Sequence, residues 1–316
     1  MKTMYEYGIG NTPMMAVELA NDNKLFIKQE KYNFLNSIKA RTAYYIVKDL
    51  NTEEVNGVVE STSGNLGFAL SYFLDDMGVD FLCLVDESIS KEKLEKLKKH
   101  HIDYRVVKRI ENLDYRSSRI KVAKELQDSG KYFWSNQYDN RNCMLAHYET
   151  TGPEIWEQCK GDIDICFCPV GTGGTITGIA KFLKEKNTNI EIIGIEPMGS
   201  TIFGGTDGEY INAGTGLRGP SGLIEKYIDY IDGYYQINDL ESVRCCKGLK
   251  KEYGLELGIS SAMTYAAVLD YSHKEKNKSI VMIAPDGMDS YISVLEDKKY
   301  AGDGLKDNEK LIFEQL

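Results

Sequence analysis

Three short segments, far apart in the chain, carry side chains that could take part in one reaction. Lys39 supplies an amine, Thr62 and Asn65 supply a hydroxyl and an amide, and the segment 171–175 reads Gly-Thr-Gly-Gly-Thr. An amine can form a Schiff base with an aldehyde, and a glycine-rich turn can bind an anion through its backbone N–H groups. Together the segments could hold an aldehyde cofactor that carries a phosphate group, with a small amino acid beside it. This combination points to pyridoxal phosphate (PLP) as the cofactor.

The glycine-rich segment 171–175 lies between an apolar run, 163–168, and a helical pattern that starts at Ile176. In that position free N–H groups and the helix N-terminus favour a bound phosphate. A Walker A loop would end in Gly-Lys-Ser/Thr, where this chain has Thr-Ile-Thr, and a dinucleotide fingerprint would need glycine at Ile176. A cup for one phosphate needs only the glycine turn and threonine hydroxyls; the alternative is a turn that merely connects strand to helix. The residues predicted to hold the phosphate are Gly171, Thr172, Gly173, Gly174 and Thr175.

Lys39 stands at the start of a helical pattern, 38–50. A helix N-terminus and burial both disfavour a protonated amine, so both would lower the pKa of Lys39 and favour Schiff-base formation. A solvated lysine is the alternative. Thr62, Ser63 and Asn65 occupy a second strand-to-helix junction. There they could bind a substrate carboxylate and a phenolic oxygen of the cofactor, or simply cap the helix.

The composition argues against several other classes of protein. A formal net charge of −10 and a pI near 5.1 argue against nucleic acid or an anionic membrane as the main partner. The N-terminus lacks the apolar core of a signal peptide, and no apolar run is long enough to span a bilayer. The seven cysteines and four histidines are not spaced as metal ligands, so no metal site is predicted. Reduced, buried thiols are typical of cytosolic proteins, and a cytoplasmic location is expected.

The elements that must position these groups alternate between strand and helix patterns almost throughout. The apolar runs 80–85 and 163–168 have the length and composition of buried strands, and a single helix is predicted over 145–159. Such alternation predicts an α/β fold in which a mostly parallel sheet is flanked by helices. The pattern restarts after Tyr138, which indicates two lobes. The glycine-rich segment 199–222 is predicted to be a long functional loop.

Motifs along almost the whole chain also resemble those of fold type II (β-family) PLP enzymes of the cysteine synthase and cystathionine β-synthase group. The resemblance is carried, in chain order, by the segments 10–14, 33–41, 62–65, 137–138, 147–156, 171–175 and 258–261. Ordered motifs at family-like spacing are far more specific than one glycine pattern. The resemblance implies a homodimer of two-lobed α/β subunits. Residues 1–40 and 146–316 would form a larger cofactor-binding lobe, and residues 41–145 a smaller mobile lobe that carries the substrate loop.

The resemblance implies a role for each matching residue. Lys39 would form the Schiff base with PLP and later move the Cα proton of the substrate, and Asn65 would bind the O3′ oxygen of the cofactor. The 171–175 loop would hold the phosphate, and Ser260 would hydrogen-bond the pyridine nitrogen. The residues that would bind the substrate carboxylate are Thr62, Ser63 and Gln137.

The chain departs from the cysteine synthase pattern at 213–220, at Ala262 and at 285–291, which leaves the pair of substrates open. The common chemistry eliminates a β-substituent to give an α-aminoacrylate, to which a nucleophile then adds. Water, unlike sulfide, needs a general base close to the attacked carbon. The sharpest hypothesis is that Asp232 is this base, so that L-cysteine and water give L-serine and hydrogen sulfide. The alternative is that Asp232 is a solvated turn residue.

Other reactions and other classes of protein stay open on the sequence. One reaction is cysteine synthesis from O-acetylserine and sulfide. Another joins phosphoserine to the amine of a second amino acid, with Arg218 binding the extra anionic group. A non-enzymatic amino-acid sensor on the same fold would not need Lys39, and an NAD-binding enzyme is disfavoured by Ile176. In each of the candidate PLP reactions, the substrate of this chain would be a small amino acid.

Overall fold

The computed structural model describes residues 2–62, 64–89, 91–212, 214–300 and 312–315. The strands within these residues are β1 (Met14–Glu18), β2 (Lys24–Gln29), β3 (Val58–Ser61), β4 (Phe81–Asp86), β5 (Tyr104–Val107), β6 (Phe133–Trp134), β7 (Ile165–Pro169), β8 (Glu191–Pro197), β9 (Gly233–Ile237), β10 (Ser279–Ala284) and β11 (Ile312–Gln315). The helices are α1 (Lys39–Val47), α2 (Asn65–Asp76), α3 (Lys91–Lys99), α4 (Tyr115–Asp128), α5 (Arg141–Ala146), α6 (Gly152–Gln158), α7 (Gly174–Lys186), α8 (Gly222–Tyr227), α9 (Asp239–Tyr253), α10 (Ile259–Lys274) and α11 (Ile292–Leu295).

The larger sheet has the strand order β1-β2-β10-β7-β8-β9-β11. Its inner strands run parallel, whereas β1 and β11 pair with their neighbours in antiparallel orientation. β7 is buried over its whole length, because both faces of the sheet are covered by helices. On one face Phe167 packs with α9 and α10, and on the other Cys166 and Cys168 pack with α6 and α7. The continuous apolar run of β7 is therefore explained by burial on two sides.

The smaller sheet has the order β5-β4-β3-β6, and all its strands run parallel. On one face, Val59 and Leu84 pack against Val122 of α4. On the other face, Val58 packs with α2. The two helix-covered sheets, one mostly and one entirely parallel, confirm the predicted α/β fold. The strands of the smaller sheet lie within the predicted smaller lobe, 41–145, and the exact bounds of the lobes stay a prediction.

A cluster of charged residues, Lys28, Glu30, Arg41 and Glu154, connects β2, α1 and α6. Arg41 Nε lies 2.7 Å from Glu30 Oε2, and Arg41 Nη1 lies 2.6 Å from Glu154 Oε1. Lys28 Nζ lies 2.7 Å from Glu154 Oε2. Lys28, Glu30 and Arg41 are 0% exposed. Buried ions cost several kcal/mol each unless they are paired and hydrogen-bonded, so this cluster holds α1 in one position against the larger sheet.

Some elements differ from the sequence-based prediction. The segment 145–159 is not one helix, because a π-helical turn at His147–Thr151 separates α5 from α6. Such turns are frequent at functional sites. β9 has no counterpart among the predicted strands, since Gly233 at its start weakens the strand pattern. The long loop predicted over 199–222 is confirmed, because α8 starts only at Gly222 and the described residues between β8 and α8 form no helix or strand.

Neither a membrane-spanning helix nor a metal-binding cluster is present in the described residues. No helix among them is long and apolar enough to cross a membrane. Within the same residues, no group of three or more histidine, cysteine or acidic side chains is arranged to hold a metal ion. The seven cysteines are buried and do not form disulfides.

Replacing Glu154 with glutamine should make the protein less stable at neutral pH and remove part of its acid sensitivity. Burial alone would raise the pKa of Glu154, but hydrogen bonds and charge from Arg41 and Lys28 lower it from 4.5 to about 2. A carboxyl group whose pKa falls on folding stabilises the folded state above its unfolded pKa, and this contribution is lost as the pH falls from 4.5 toward about 2. We expect Glu154→Gln to lower the free energy of unfolding at pH 7 by about 3 kcal/mol, measured by urea denaturation.

Glu157→Gln is the control, because Glu157 lies on the same helix at an exposed position. It should change the free energy of unfolding by less than about 0.5 kcal/mol. Equal stability of Glu154→Gln and the wild type at pH 7 would contradict the role assigned to the charge cluster.

Candidate active site

The carboxyl ends of parallel strands from both sheets border a common cavity of about 470 Å³. Its walls come from the segments that follow β3, β7 and β10, from the start of α1 and from the loop before α8. Ligands bind at this edge of open α/β sheets because loops and helix N-termini converge there. Ser63 lies outside the described residues. The other predicted residues that line this cavity are Lys39, Thr62, Asn65, Gln137, Gly171, Thr172, Gly173, Gly174, Thr175 and Ser260.

Lys39 is the first residue of α1. The neighbouring Ile38 N–H donates to Pro285 O at 2.9 Å, which ties the start of α1 to the segment after β10. Desolvation lowers the pKa of the Lys39 amine, and the acidic groups of Glu60 and Asp286 oppose this shift without cancelling it. An amine with a lowered pKa is more often neutral and nucleophilic, as Schiff-base formation requires.

The glycine loop has no room for larger residues. Gly173 has a φ of +91°, and a Cβ there would lie 2.6 Å from Ile224 Cδ1. A Cβ on Gly174 would lie 2.8 Å from the carbonyl oxygen of Cys143. α7 begins at Gly174, so the first N–H groups of this helix have no partner within the helix and can bind an anion. This geometry fits the phosphate cup that the sequence predicted.

His147 contacts the phosphate loop and was missed by the sequence analysis. Its Nε2 lies 3.2 Å from Thr175 Oγ1 and 3.3 Å from Thr42 Oγ1, and its Nδ1 lies 2.9 Å from Thr151 Oγ1. Burial lowers the pKa of His147 well below 6.5, and nearby positive charges add to this effect. The ring is therefore neutral, and it can orient the hydroxyl of Thr175 in the loop. The only sequence signal was its place in the motif 147–156.

Asn65 and Ser260 occupy helix N-termini beside the cavity. Asn65 is the first residue of α2, and Ser260 is the second residue of α10. Asn65 Nδ2 donates to Asp286 Oδ2 at 3.0 Å. Asp286 was not among the predicted site residues, and the sequence showed only that its segment, 285–291, departs from the family pattern. The roles of Asn65 and Ser260 toward PLP stay predictions that this placement allows.

Gln137 and Thr62 border the cavity near the end of β3. Gln137 Nε2 donates to Ser61 O at 3.0 Å, and its backbone N–H donates to Glu60 Oε2 at 3.1 Å. Thr62 follows Ser61 directly and is buried. Fixed polar groups at this edge agree with the predicted binding of a substrate carboxylate, which stays a prediction.

The cavity fits PLP. The glycine loop can take the phosphate, and Lys39 can take the aldehyde. A volume of about 470 Å³ is enough for a small cofactor and an amino acid. When bound, PLP supplies an electron-withdrawing ring that stabilises negative charge at the substrate Cα. Buried polar atoms without a partner in the described residues also indicate a polar ligand; those in the cavity wall include Ser61 Oγ, Asn212 Oδ1, Thr215 Oγ1 and Asp286 Oδ1.

Comparison with protein families agrees with this site. Residues 5–286 match the family model described as "Pyridoxal-phosphate dependent enzyme". The chain therefore belongs to the family of pyridoxal-phosphate dependent enzymes. PLP is its cofactor, and the protein is an enzyme.

Individual relatives narrow the type of chemistry. Cysteine synthase of Staphylococcus aureus (strain N315) is 31% identical over 295 residues, which cover 90% of this chain and 94% of the relative. Cystathionine beta-synthase of Apis mellifera is 32% identical, and the match covers 90% of this chain but only 59% of the length of that relative. These similarities define a cysteine synthase or cystathionine β-synthase type of enzyme, which eliminates or replaces a β-substituent of an amino acid.

Solved structures share the fold. O-acetyl serine sulfhydrylase isoform 3 from Entamoeba histolytica superposes with a TM-score of 0.83 at 26% identity, covering 95% of this chain and 94% of that chain. A hydrogen sulfide-producing enzyme from Fusobacterium nucleatum superposes with a TM-score of 0.82 at 27% identity, covering 92% of this chain and 98% of that chain. The fold and the class of chemistry are thus common to enzymes named for different reactions.

Asp232 does not lie at the cavity, which corrects the hypothesis that this residue activates water. It directly precedes β9, and β9 runs parallel to β8, so Asp232 lies at the edge of the sheet opposite to the cavity. Its Oδ2 accepts from the Ile192 N–H at 2.7 Å, and its carboxylate lies 2.8 Å from Lys184 Nζ. These contacts make Asp232 a structural residue that joins β8 and α7.

Gly174→Ala should weaken PLP binding, because the new Cβ would lie 2.8 Å from the Cys143 carbonyl oxygen and displace the loop. Overpacking of this kind costs about 1–3 kcal/mol. We expect a rise of about tenfold in the dissociation constant of PLP, measured by fluorescence titration of the apoenzyme. Gly248→Ala in α9 is the control, since a Cβ there meets nothing within 4 Å. Unchanged PLP affinity in Gly174→Ala would argue against phosphate binding by this loop.

Asp232→Asn should lower stability and leave turnover unchanged. The substitution removes the charge that faces Lys184 and weakens the acceptor for the Ile192 N–H, at a cost of about 1 kcal/mol. Lys184→Met breaks the same pair and should have a similar effect. Urea unfolding and steady-state turnover, measured on the same preparations, separate stability from catalysis. A large loss of turnover in Asp232→Asn, at unchanged stability, would indicate that Asp232 takes part in the reaction after all.

Proposed function

We propose that the protein catalyses β-replacement on a β-substituted L-alanine whose leaving group is an anion, and that O-phospho-L-serine is this substrate. The observation that carries the proposal is the state of Arg116 in the cavity wall. Its Nε and Nη1 atoms are buried and have no hydrogen-bond partner among the described residues. No acidic side chain of the described residues lies within 4 Å of the Arg116 guanidinium group to form an ion pair. Buried guanidinium nitrogens without an acceptor are unfavourable, so a bound anion is expected beside Nε and Nη1.

Two further arginines accompany Arg116 in the cavity wall. Arg119 is paired with Asp86 through Nη1 at 3.3 Å, but its buried Nε has no partner. Arg218, the residue that the sequence analysis connected with phosphoserine, lies 2.9 Å from Asp207 through Nε. Because Arg218 is already paired with an exposed carboxylate, Arg116 takes over as the main candidate for anion binding.

Arg116 is held in place by both parts of the structure. Its Nη2 donates to the carbonyl oxygen of Arg218 at 3.1 Å, and its guanidinium carbon lies 5.5 Å from the ring centre of Tyr138. The first contact joins α4 to the loop before α8, and the second fixes the plane of the group. A planar guanidinium group whose Nε and Nη1 atoms both lack an acceptor in the described residues matches two oxygens of a phosphate.

The proposed reaction divides between Lys39 and Arg116. Lys39 moves the proton at the substrate Cα, and Thr62, Ser63 and Gln137 hold the substrate carboxylate in reach of the amine. The bond from Cβ to the ester oxygen breaks with its electron pair on the leaving phosphate. Arg116 stabilises the negative charge on this phosphate while the bond breaks. The nucleophile then adds at Cβ, and Lys39 returns the proton to Cα.

The conversion of L-cysteine to L-serine and hydrogen sulfide has lost its main support, because Asp232 lies away from the cavity. Because the Fusobacterium nucleatum enzyme is named for hydrogen sulfide production, L-cysteine, from which sulfide would be released, is a necessary comparison substrate. The similarity to the Entamoeba histolytica enzyme makes O-acetyl-L-serine a second comparison substrate.

On the family resemblance we also propose that the protein is cytoplasmic and forms a homodimer. Light scattering of the purified protein would detect the homodimer as a mass of twice one chain.

The first test compares O-phospho-L-serine, O-acetyl-L-serine and L-cysteine as substrates of the PLP-loaded enzyme. Release of phosphate, acetate or sulfide is followed with sulfide or an amino acid as the nucleophile. We expect the highest kcat/KM with O-phospho-L-serine. Arg116→Ala should lower that kcat/KM by about 10- to 100-fold, since charge-assisted hydrogen bonds contribute about 1.5–3 kcal/mol. It should change the value for O-acetyl-L-serine by less than about threefold.

Arg105→Ala is the matched control, because Arg105 is an exposed arginine of the same part of the fold and does not line the cavity. It should leave all three activities unchanged. Sulfide release from L-cysteine, without phosphate release from O-phospho-L-serine, would show the proposal to be wrong.

A further inference from the structure

Asp286 lies where three segments of the active site meet. It follows β10 after Pro285, and its backbone forms an antiparallel bridge with Ser37, two residues before Lys39. Its carbonyl oxygen accepts from the Gly258 N–H at 3.0 Å, at the start of α10. The backbone of Asp286 therefore connects the segment before Lys39 to the helix that carries Ser260.

The side chain of Asp286 adds the third segment. Its Oδ2 accepts from Asn65 Nδ2 at 3.0 Å and from the Tyr291 hydroxyl at 3.2 Å. The Tyr291 hydroxyl also interacts with the hydroxyl of Ser260. One carboxylate thus contacts, directly or through one tyrosine, both of the residues expected at the edges of the cofactor ring.

The absence of a side chain at Gly258 leaves room for the carboxylate of Asp286. A Cβ on Gly258 would lie only 2.1 Å from Asp286 Oδ1. This oxygen is buried and has no hydrogen-bond partner in the described residues, and the Asp286 side chain borders the cavity. A buried carboxylate oxygen is costly without a partner, so its retention beside the cavity indicates a role in the site.

The contact with Asn65 restricts the orientation of its amide. An ionised carboxylate can only accept hydrogen bonds, whereas the amide has a donating NH2 end and an accepting oxygen end. The NH2 end must therefore face Asp286, and its second N–H remains free for another acceptor. A protonated Asp286 could instead donate to the amide oxygen, and both orientations of the amide would then be possible.

We propose that Asp286 is a positioning residue whose carboxylate fixes the amide of Asn65, and through Tyr291 the hydroxyl of Ser260, for binding the ring of PLP. The proposal depends on the family cofactor and not on the identity of the leaving group. It would hold equally for phosphoserine, acetylserine or cysteine as substrate.

The ionisation of Asp286 makes this role dependent on pH. Burial raises the pKa of Asp286 from 3.8 to about 6, against the effect of hydrogen bonds from Tyr291 and Asn65 and of the charges of Lys96 and Lys39. Burial also raises the pKa values of two other titratable neighbours, Tyr291 and Cys246, in the latter case to about 12. Among these neighbouring acids, Asp286 alone is expected to change its charge between pH 5 and 8.

The test uses the PLP-loaded enzyme without substrate and follows the absorbance of the bound cofactor from pH 5 to 9. In the wild type we expect a spectral change with a midpoint near 6. Asp286→Asn keeps the shape of the side chain but should lose this change and bind PLP about tenfold more weakly at pH 8. Ionisation of the cofactor phosphate also falls near pH 6, but it is common to all variants and does not contribute to their difference.

Tyr291→Phe provides a second test, which does not depend on Asp286→Asn folding. It removes a hydrogen bond that lowers the pKa of Asp286, so the midpoint should move to higher pH. Asp270→Asn is the matched control: Asp270 accepts from the Tyr235 hydroxyl at 3.0 Å but does not line the cavity. Its absorbance profile should equal that of the wild type. A wild-type profile and wild-type PLP affinity in both Asp286→Asn and Tyr291→Phe would overturn the proposal.

Discussion

The position of Lys39 depends on the buried ion pairs of Arg41, two residues further along the same helix. Arg41 is 0% exposed and is held by Glu30 and Glu154 at 2.6–2.7 Å. Thr12 Oγ1 also donates to Glu30 at 2.6 Å, so the motifs 10–14 and 33–41 meet in one cluster. Breaking a buried pair costs about 3–5 kcal/mol, and α1 therefore cannot shift without a large loss of stability. A reactive amine at the start of this helix is held rigidly as a result.

Desolvation also decides which groups of the site carry charge. It lowers the pKa of the Lys39 amine and of the His147 ring, and it raises the pKa of Asp286 to about 6. The same physical cause thus favours a neutral amine for Schiff-base chemistry and a neutral ring beside Thr175. It also brings the pKa of one carboxyl group, that of Asp286, close to neutral pH. These ionisation states follow from the depth of each group in the fold, which neighbouring residues in the sequence do not report.

The two edges of the larger sheet have different roles. The carboxyl edge carries the glycine loop, Asp286 and the cavity, whereas Asp232 at the other edge joins β8 to α7. The outer wall of the cavity surrounds the cofactor site. This wall includes α4, which carries Arg116, and the loop before α8, which carries Arg218. A shared cofactor site can therefore serve different leaving groups when only the outer wall of the cavity changes.

The sequence by itself determined the α/β fold, the long loop, the PLP cofactor and the short motifs that border the cavity, because these depend on local patterns: apolar runs, glycine turns and short motifs. Only the tertiary structure decided the contact between Asn65 and Asp286, which are 221 residues apart, and the place of His147 beside the phosphate loop. It also placed Asp232 at the other edge of the sheet and left two buried nitrogens of Arg116, Nε and Nη1, without a partner among the described residues. Such results depend on which distant side chains meet and on how much water burial removes. Neither quantity is encoded in the spacing of residues along a segment.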